Sequence, residues 1–214
     1  GAEASFRRAL ELAPGNALVL RHAAMIAACL GRDDESIALL QRAVTLDPLS
    51  VPALRLLGQR CLYAGLLADA EIALQKVFEL NPRGGFTNYW LGMNHLANGR
   101  HAEALSMFKQ EVNAVFLLLG LTVGEHALGH RPEAEAALRE LIAGHSDSAA
   151  FQIAGAYAFA GDADRAFEWL KRAEKQRDPG LVELKAEILL RNVYGDPRWP
   201  VLLERMGLRR RLAS

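Results

Sequence analysis

The chain is poor in most of the features that mark a particular chemistry. It carries 2 cysteines in 214 residues, Cys29 and Cys61, too few for a disulfide framework and without the spacing of a metal or redox motif. Both fall inside apolar helical patterns, so both are expected as buried, reduced thiols. It has no net charge, since Lys+Arg and Asp+Glu stand at 25 each, which removes the broad positive excess that favours nucleic acid or an anionic membrane. No apolar run approaches the ~20 residues needed to cross a bilayer, and no secretory signal opens the chain; a cytoplasmic setting is the expectation. Glycine is present, but not as a phosphate loop: Gly84, Gly85 and Phe86 stand alone before a helix. His22, His95, His101 and His145 are scattered over different helices, and no serine or cysteine is placed as a nucleophile. The stretch GEHALGH holds Glu125, His126 and His130, and two histidines four apart on one helix can share zinc. Gly129 reads as a turn glycine, however, and takes His130 off the helix. No catalytic residue, metal site or cofactor is expected, and the chain reads as a non-enzyme.

What the chain has instead is hydrophobic content, 51%, and a period. The stretch ALVLRHAAMIAACLGRDDESIALLQRAVTLDP aligns with VPALRLLGQRCLYAGLLADAEIALQKVFELNP, which sets Gly31 on Gly65, Ser36 on Ala70, Leu40 on Leu74 and Pro48 on Pro82. Gly99, Gly129 and Gly161 continue the turn glycine, and Ala104, Ala134 and Ala166 the small residue early in the following helix. A period near 34 residues of helix, turn and helix is the signature of a helical solenoid, in which each pair hides its apolar face only against its neighbours. The acids Asp33, Asp34 and Glu35 sit at a helix start, where they offset the macrodipole.

The pattern resembles the tetratricopeptide repeat (TPR), and Leu54, Leu57, Gly58, Gly65, Ala70, Leu74 and Pro82 carry the resemblance. Three residues depart from it: Asn88 stands at the first large position, Val77 at the second-helix alanine, and Glu125 at a usually aromatic position. The fold class implied is all-α, a right-handed superhelical TPR solenoid of antiparallel helix pairs closed by a C-terminal capping helix. Its repeats occupy residues 1–180, as a partial repeat over 1–16 and then about 17–50, 51–84, 85–114, 115–146 and 147–180. Residues 181–208 form C-terminal capping helices and 209–214 a basic tail. AEASFRRALELAPGN supplies only a second helix, with Phe6, Ala9 and Pro14 on pattern. The chain thus reads as a piece of a longer protein, and the uncovered side of residues 2–12 as a surface that pairs with another copy.

Helical geometry, at ~100° per residue, then locates the lining of the concave side on each first helix. The lining residues singled out are Arg21 and Met25, then Arg55, Gln59 and Tyr63, then Tyr89 and Met93, then Leu119, and in the last repeat Phe151 and Phe159. TPR domains that clamp a peptide carboxylate present Lys and Asn here, and this chain does not. Arg21 and Arg55 stack one repeat apart at one end, while the rest is apolar. The expectation is a groove for an apolar helix or extended segment, with an acidic residue near the two arginines. The alternative is that the same residues pack against one another in a narrow superhelix.

The C-terminal half resembles a narrower group. YWLGMNHLANGRHAEALSMF, GLTVGEHALGHRPEAEAALREL, AFEWLKRA followed by RDPG, and LLRN followed by GDPRW and MGL are similar to TPR regions of bacterial class III adenylate or guanylate cyclases and winged-helix transcriptional regulators. That resemblance implies a protein-binding or scaffolding part of a bacterial signalling protein, or a small-molecule sensor that controls an attached output domain. The group usually has Asp-Pro where this chain has Ala186, Glu187 and Ile188. Finally, LVELKAEILLRN reads as one more helix, and DPRWPVLLERMGL as an amphipathic lid with Asp196 as N-cap and Pro197 at the first helical position. Trp199, Leu202, Leu203 and Met206, with Val201, form its apolar side, and Gly207 ends it.

Overall fold

Residues 2–208 are described by a computed structural model, in which every regular element among the described residues is helical. In chain order these are α1 (Ala2–Leu12), α2 (Ala17–Cys29), α3 (Asp33–Leu46), α4 (Val51–Tyr63), α5 (Leu67–Leu80), α6 (Thr87–Ala97) and α7 (His101–Phe108). They continue as α8 (Ala114–Ala127), α9 (Arg131–His145), α10 (Ala150–Phe159), α11 (Ala163–Gln176) and α12 (Arg198–Arg205). Two 3-10 helices, Pro179–Glu183 and Ile188–Val193, lie between α11 and α12. The chain divides into two compact units, Gly1–Ala137 and Leu138–Ser214. The expected basic tail, 209–214, lies outside the described residues.

In the first unit α2 packs on α3, α4 on α5 and α6 on α7, and each pair rests on the next through α3–α4, α5–α6 and α7–α8. Each hairpin turns on the glycine that the period picked out. Gly31, Gly65, Gly99 and Gly129 have φ of 72°, 78°, 74° and 80°, the left-handed region that costs glycine nothing. At the first of these turns Arg32 N–H reaches back to the Ala27 carbonyl at 2.9 Å, and Gly31 N–H donates to Ala28 at 2.8 Å. The last carbonyls of α2 are thereby satisfied, which ends the helix in a Schellman turn. At the other end of α2, Asn16 accepts from the Leu18 and Val19 amides at 3.0 and 3.1 Å, a side-chain N-cap.

Helices approach closely where glycine removes a side chain. A Cβ on Gly92 would lie 2.5 Å from the Phe108 ring, and one on Gly120 would lie 2.6 Å from it. Phe108 itself is fully buried, so α6 and α8 close over a ring that no larger residue would admit. The small position early in α3 is Ser36, whose hydroxyl donates to the Ala24 carbonyl of α2 at 2.8 Å. Of the two cysteines, Cys61 is buried as expected, whereas Cys29 is exposed. Cys29 ends α2 on the side that α3 does not cover, so the apolar pattern misplaced it. Burial, with the charge of Asp69 added, pushes the Cys61 thiol up to about 11, which keeps it an unreactive thiol.

In the second unit α10 packs on α11 across Gly161, φ 82°. The expected single helix over LVELKAEILLRN is replaced by the two 3-10 helices, both of which pack on α10. Two carboxylates divide the segment. Asp178 accepts from Gly180 N–H at 2.8 Å and Glu187 from Leu189 N–H at 3.1 Å, so each starts its own short turn. α12 begins at Arg198, and the Asp196 carboxylate accepts the Arg198 amide at 2.8 Å.

Candidate functional site

On the first-helix side of the first unit, the two arginines face a surface that offers them no acid. Arg21 on α2 and Arg55 on α4 are both half-buried. Arg21 Nη2 lies 3.2 Å from His22 Nε2, and the Arg55 guanidinium lies over the Phe86 ring at 5.4 Å. Neither makes an ion pair with a carboxylate among the described residues. Burial lowers the pKa of Arg55, and the charge of Arg21 lowers it further; the two cations repel each other within a partly desolvated corner. An anion placed between them would relieve both costs at once.

Around this corner the surface is apolar. Leu18 is 55% and Met25 46% exposed on α2, one turn to either side of Arg21. Phe86 continues from Arg55 into Phe116, at 4.9 Å with the rings edge to face, and Phe116 meets Tyr89 at 4.7 Å. Phe86 and Phe116 keep part of their surface in solvent.

The remaining lining residues sit deeper than a free groove wall would. Gln59 and Tyr63 are buried, with Gln59 Nε2 3.4 Å from the Tyr63 hydroxyl, and Tyr63 packs edge-on against Trp90 at 5.8 Å. Tyr89, Met93 and Leu119 have relative exposures of 1%, 0% and 2%. All three are thus buried, and Tyr89 packs against Phe116. Of the first-helix residues of this unit, Leu18, Arg21, Met25, Arg55, Phe86 and Phe116 keep surface in solvent.

Phe151 and Phe159 belong to the second unit. Phe151 is 3% exposed, and a Cβ on Gly180 would lie 2.5 Å from its ring, so the first 3-10 turn covers it. Phe159 is half-buried, and its carbonyl accepts from Asn192 Nδ2 at 3.2 Å. At α12, Trp199 and Leu202 are buried, Leu203 and Met206 half-buried, and Val201 is 57% exposed, which takes Val201 out of the apolar side. Trp199 stacks on Tyr194 at 4.6 Å. Arg198 and Arg205 are exposed and bind acids of α11. Arg198 Nη1 pairs with Asp164 at 2.8 Å and lies 4.4 Å over the Phe167 ring, and Arg205 pairs with Glu174.

The histidines form no centre. α8 ends at Ala127, so His130 lies beyond it, with Nδ1 2.8 Å from Glu125. No group of three His, Cys, Asp or Glu residues able to hold a metal occurs among the described residues.

Two buried carboxylates escaped the sequence reading. Glu111, 4% exposed, accepts four backbone N–H groups, from Phe86, Tyr89, Val112 and Asn113, at 2.9 to 3.0 Å. α6 has no side-chain cap of its own, and Phe86 at its N-cap has φ 72°. Glu111 caps that helix from 25 residues downstream and so holds Phe86 beside Arg55. Asp178 does the same for α10 through Phe151 N–H at 3.0 Å. Each lies where the chain leaves a second helix, and that position is the one signal the sequence offered.

Residues 1–51 match the family model described as tetratricopeptide repeat. A tetratricopeptide repeat protein from Parabacteroides merdae is similar in fold at a TM-score of 0.69 and 17% identity, over 89% of this chain and 76% of that one. A thermophilic TPR protein of Thermus thermophilus is similar at 0.63 and 23% identity, over 81% of this chain and 98% of that one. YrrB, described as a TPR protein with an unusual peptide-binding site, is similar at 0.51 and 20% identity, over 85% and 96% of the two chains. At these identities the likeness is one of fold. No curated protein matches the chain.

Proposed function

We propose that the first unit is a non-catalytic interaction module that holds a protein segment against its first-helix side, with an acidic residue of that segment between Arg21 and Arg55. One observation carries this reading: two adjacent, half-buried arginines without a carboxylate, bordered by the exposed apolar side chains of Leu18 and Met25. A partner carboxylate would form charge-assisted hydrogen bonds there, and apolar neighbours would exclude water around them. The TPR fold and the peptide-binding site described for YrrB support the same reading. Gln59, Tyr63, Tyr89, Met93 and Leu119 support the surface from beneath.

The test is fluorescence anisotropy with a pair of labelled apolar peptides that differ only as Asp and Asn. The Asp peptide should bind more tightly, and Arg21→Gln with Arg55→Gln should remove the difference. Equal binding of both peptides to the unaltered protein would overturn the reading.

The C-terminal resemblance supports a place for this module in the regulatory part of a bacterial, cytoplasmic signalling protein. The competing reading there is a small-molecule sensor, which a metabolite that raises Tm without any peptide would favour. Self-association through α1 belongs to the same proposal, on the ground that Leu12 is 69% exposed; a monomer in sedimentation at high concentration would remove it.

A further inference from the structure

The second-helix side of the first unit carries a furrow that the proposed function does not use. Its walls are α3 and α5 and its floor is α4, where Leu54, Leu57 and Cys61 line it, and its volume is about 610 Å³. From Asp69 to Glu79 it follows α5 for roughly 15 Å at 1.5 Å rise per residue.

The other repeats serve as an internal control. Ile72, on the furrow wall, is 72% exposed. The residues 34 positions before and after it are Ala38 and Ser106, so the fold does not require a large apolar side chain at that place. Val44, on the opposite wall, stands 34 positions before Phe78, and the smaller side chain leaves the furrow unfilled. An exposed isoleucine beside an unfilled apolar trough is the arrangement that receives a ridge of apolar side chains.

Charge selects the partner. Lys76 on the rim is held by Glu79 at 3.2 Å. Asp69 has no hydrogen bond or ion pair among the described residues; it lies in the first turn of α5, where only the helix dipole offsets its charge, and it leaves the furrow an acid that a partner cation can pair with. The other face of the unit, with Arg21 and Arg55, has the opposite sign.

We infer that the α3–α5 furrow docks an amphipathic helix of a partner protein, with apolar residues at i, i+3 and i+7 over Val44, Leu57 and Ile72 and a basic residue against Asp69. Such a module binds two partners of opposite charge on its two faces at once.

The probe is a labelled alanine–glutamine helix of about 18 residues, long enough to hold helical structure, with leucines at i, i+3 and i+7 and two lysines at one end. Binding to the intact chain is followed by anisotropy. Ile72→Ser, a change at an exposed side chain, and Val44→Phe, which fills the trough, should each weaken binding by about tenfold or more. Asp69→Lys should reverse the preference in favour of the same peptide ended in glutamates. Arg21→Gln with Arg55→Gln should leave this binding unchanged, which separates it from the groove on the other face. The inference is overturned by no binding to the unaltered protein, by binding insensitive to Ile72→Ser, or by loss with the arginine pair alone. Saturable binding of decylammonium in place of the peptide would overturn it in favour of a small amphipathic cation.

Discussion

The two units solve the same problem with different means. In the first, each helix pair is covered by the next pair, so its stability is a sum of similar neighbour contacts. Glycine turns and small residues recur at the period, and close approaches such as Gly92 on Phe108 draw the helices together. In the second, α10 is covered by two 3-10 helices, and α12 is fixed to α11 by Arg198 and Arg205. Yet both units start a helix in the same way. At α6 and α10, which lack an N-cap side chain of their own, a carboxylate from beyond the following helix supplies it, Glu111 with four donors and Asp178 with two. The repeat is therefore a packing rule with exceptions at its ends, and the exceptions are made by charged groups.

The largest test of that contrast removes one ring from each unit. Phe108→Ala should cost about 3–5 kcal/mol in the first unit and Trp199→Ala about 3 kcal/mol in the second, since Phe108 is fully buried and Trp199 lies at the edge of its cluster. Hydrogen exchange resolved by peptide should show each loss in its own unit. If Trp199→Ala loosens α2 to α5 as much as α10 and α11, the units are not separate and the contrast fails.

A smaller effect is expected at the two caps. Glu111→Ala strands buried amide donors at the start of α6 and should cost about 2–3 kcal/mol, against about 1–2 kcal/mol for Asp178→Ala, which strands fewer. Equal costs in denaturant unfolding would mean that the number of donors does not set the value of the cap. Glu111→Ala should also release Phe86 from its place beside Arg55, weakening the acidic peptide more than Asp178→Ala does.

The turn glycines, the small residue early in each second helix and the opposing faces of the first helices could all be read from spacing, because helix periodicity and left-handed turns are local properties. Depth could not. The wheel that put Arg21 and Tyr89 on one face did not show that Phe116 would lie 4.7 Å from Tyr89 and cover it, since that depends on how closely α6 and α8 approach. Likewise LVELKAEILLRN has helical spacing, and what divides it is a pair of local carboxylate caps that compete with continuous helix. Glu111 and Asp178 were invisible for the opposite reason, because their partners Phe86 and Phe151 lie 25 and 27 residues away.

The smallest effect separates the units by pH. His95 in α6 occupies the place of Cys61 in the preceding repeat. It is half-buried, and its Nδ1 finds no hydrogen-bond partner. Burial lowers its pKa and Arg100 lowers it further, outweighing the opposite pull of Glu71 and Glu103. Glu71 is largely occupied by Arg100, at 2.8 Å, and so does little to stabilise a second cation. A folded-state pKa below the unfolded value of about 6.5 means that the folded chain binds fewer protons than the unfolded one. Its contribution to stability is therefore complete above that value and is lost as the pH falls through it toward the folded pKa. In the second unit, the shifted groups Asp196, held down to about 2 by Arg198, and Tyr194, pushed up to about 12 by burial, keep one charge state across the same range. After correction for the base-catalysed intrinsic rate, amide protection in α5 to α7 should fall between pH 7 and about 5.5, and His95→Gln should flatten that slope. A slope that persists in His95→Gln would assign the acid sensitivity to other groups and leave the half-buried imidazole without energetic consequence.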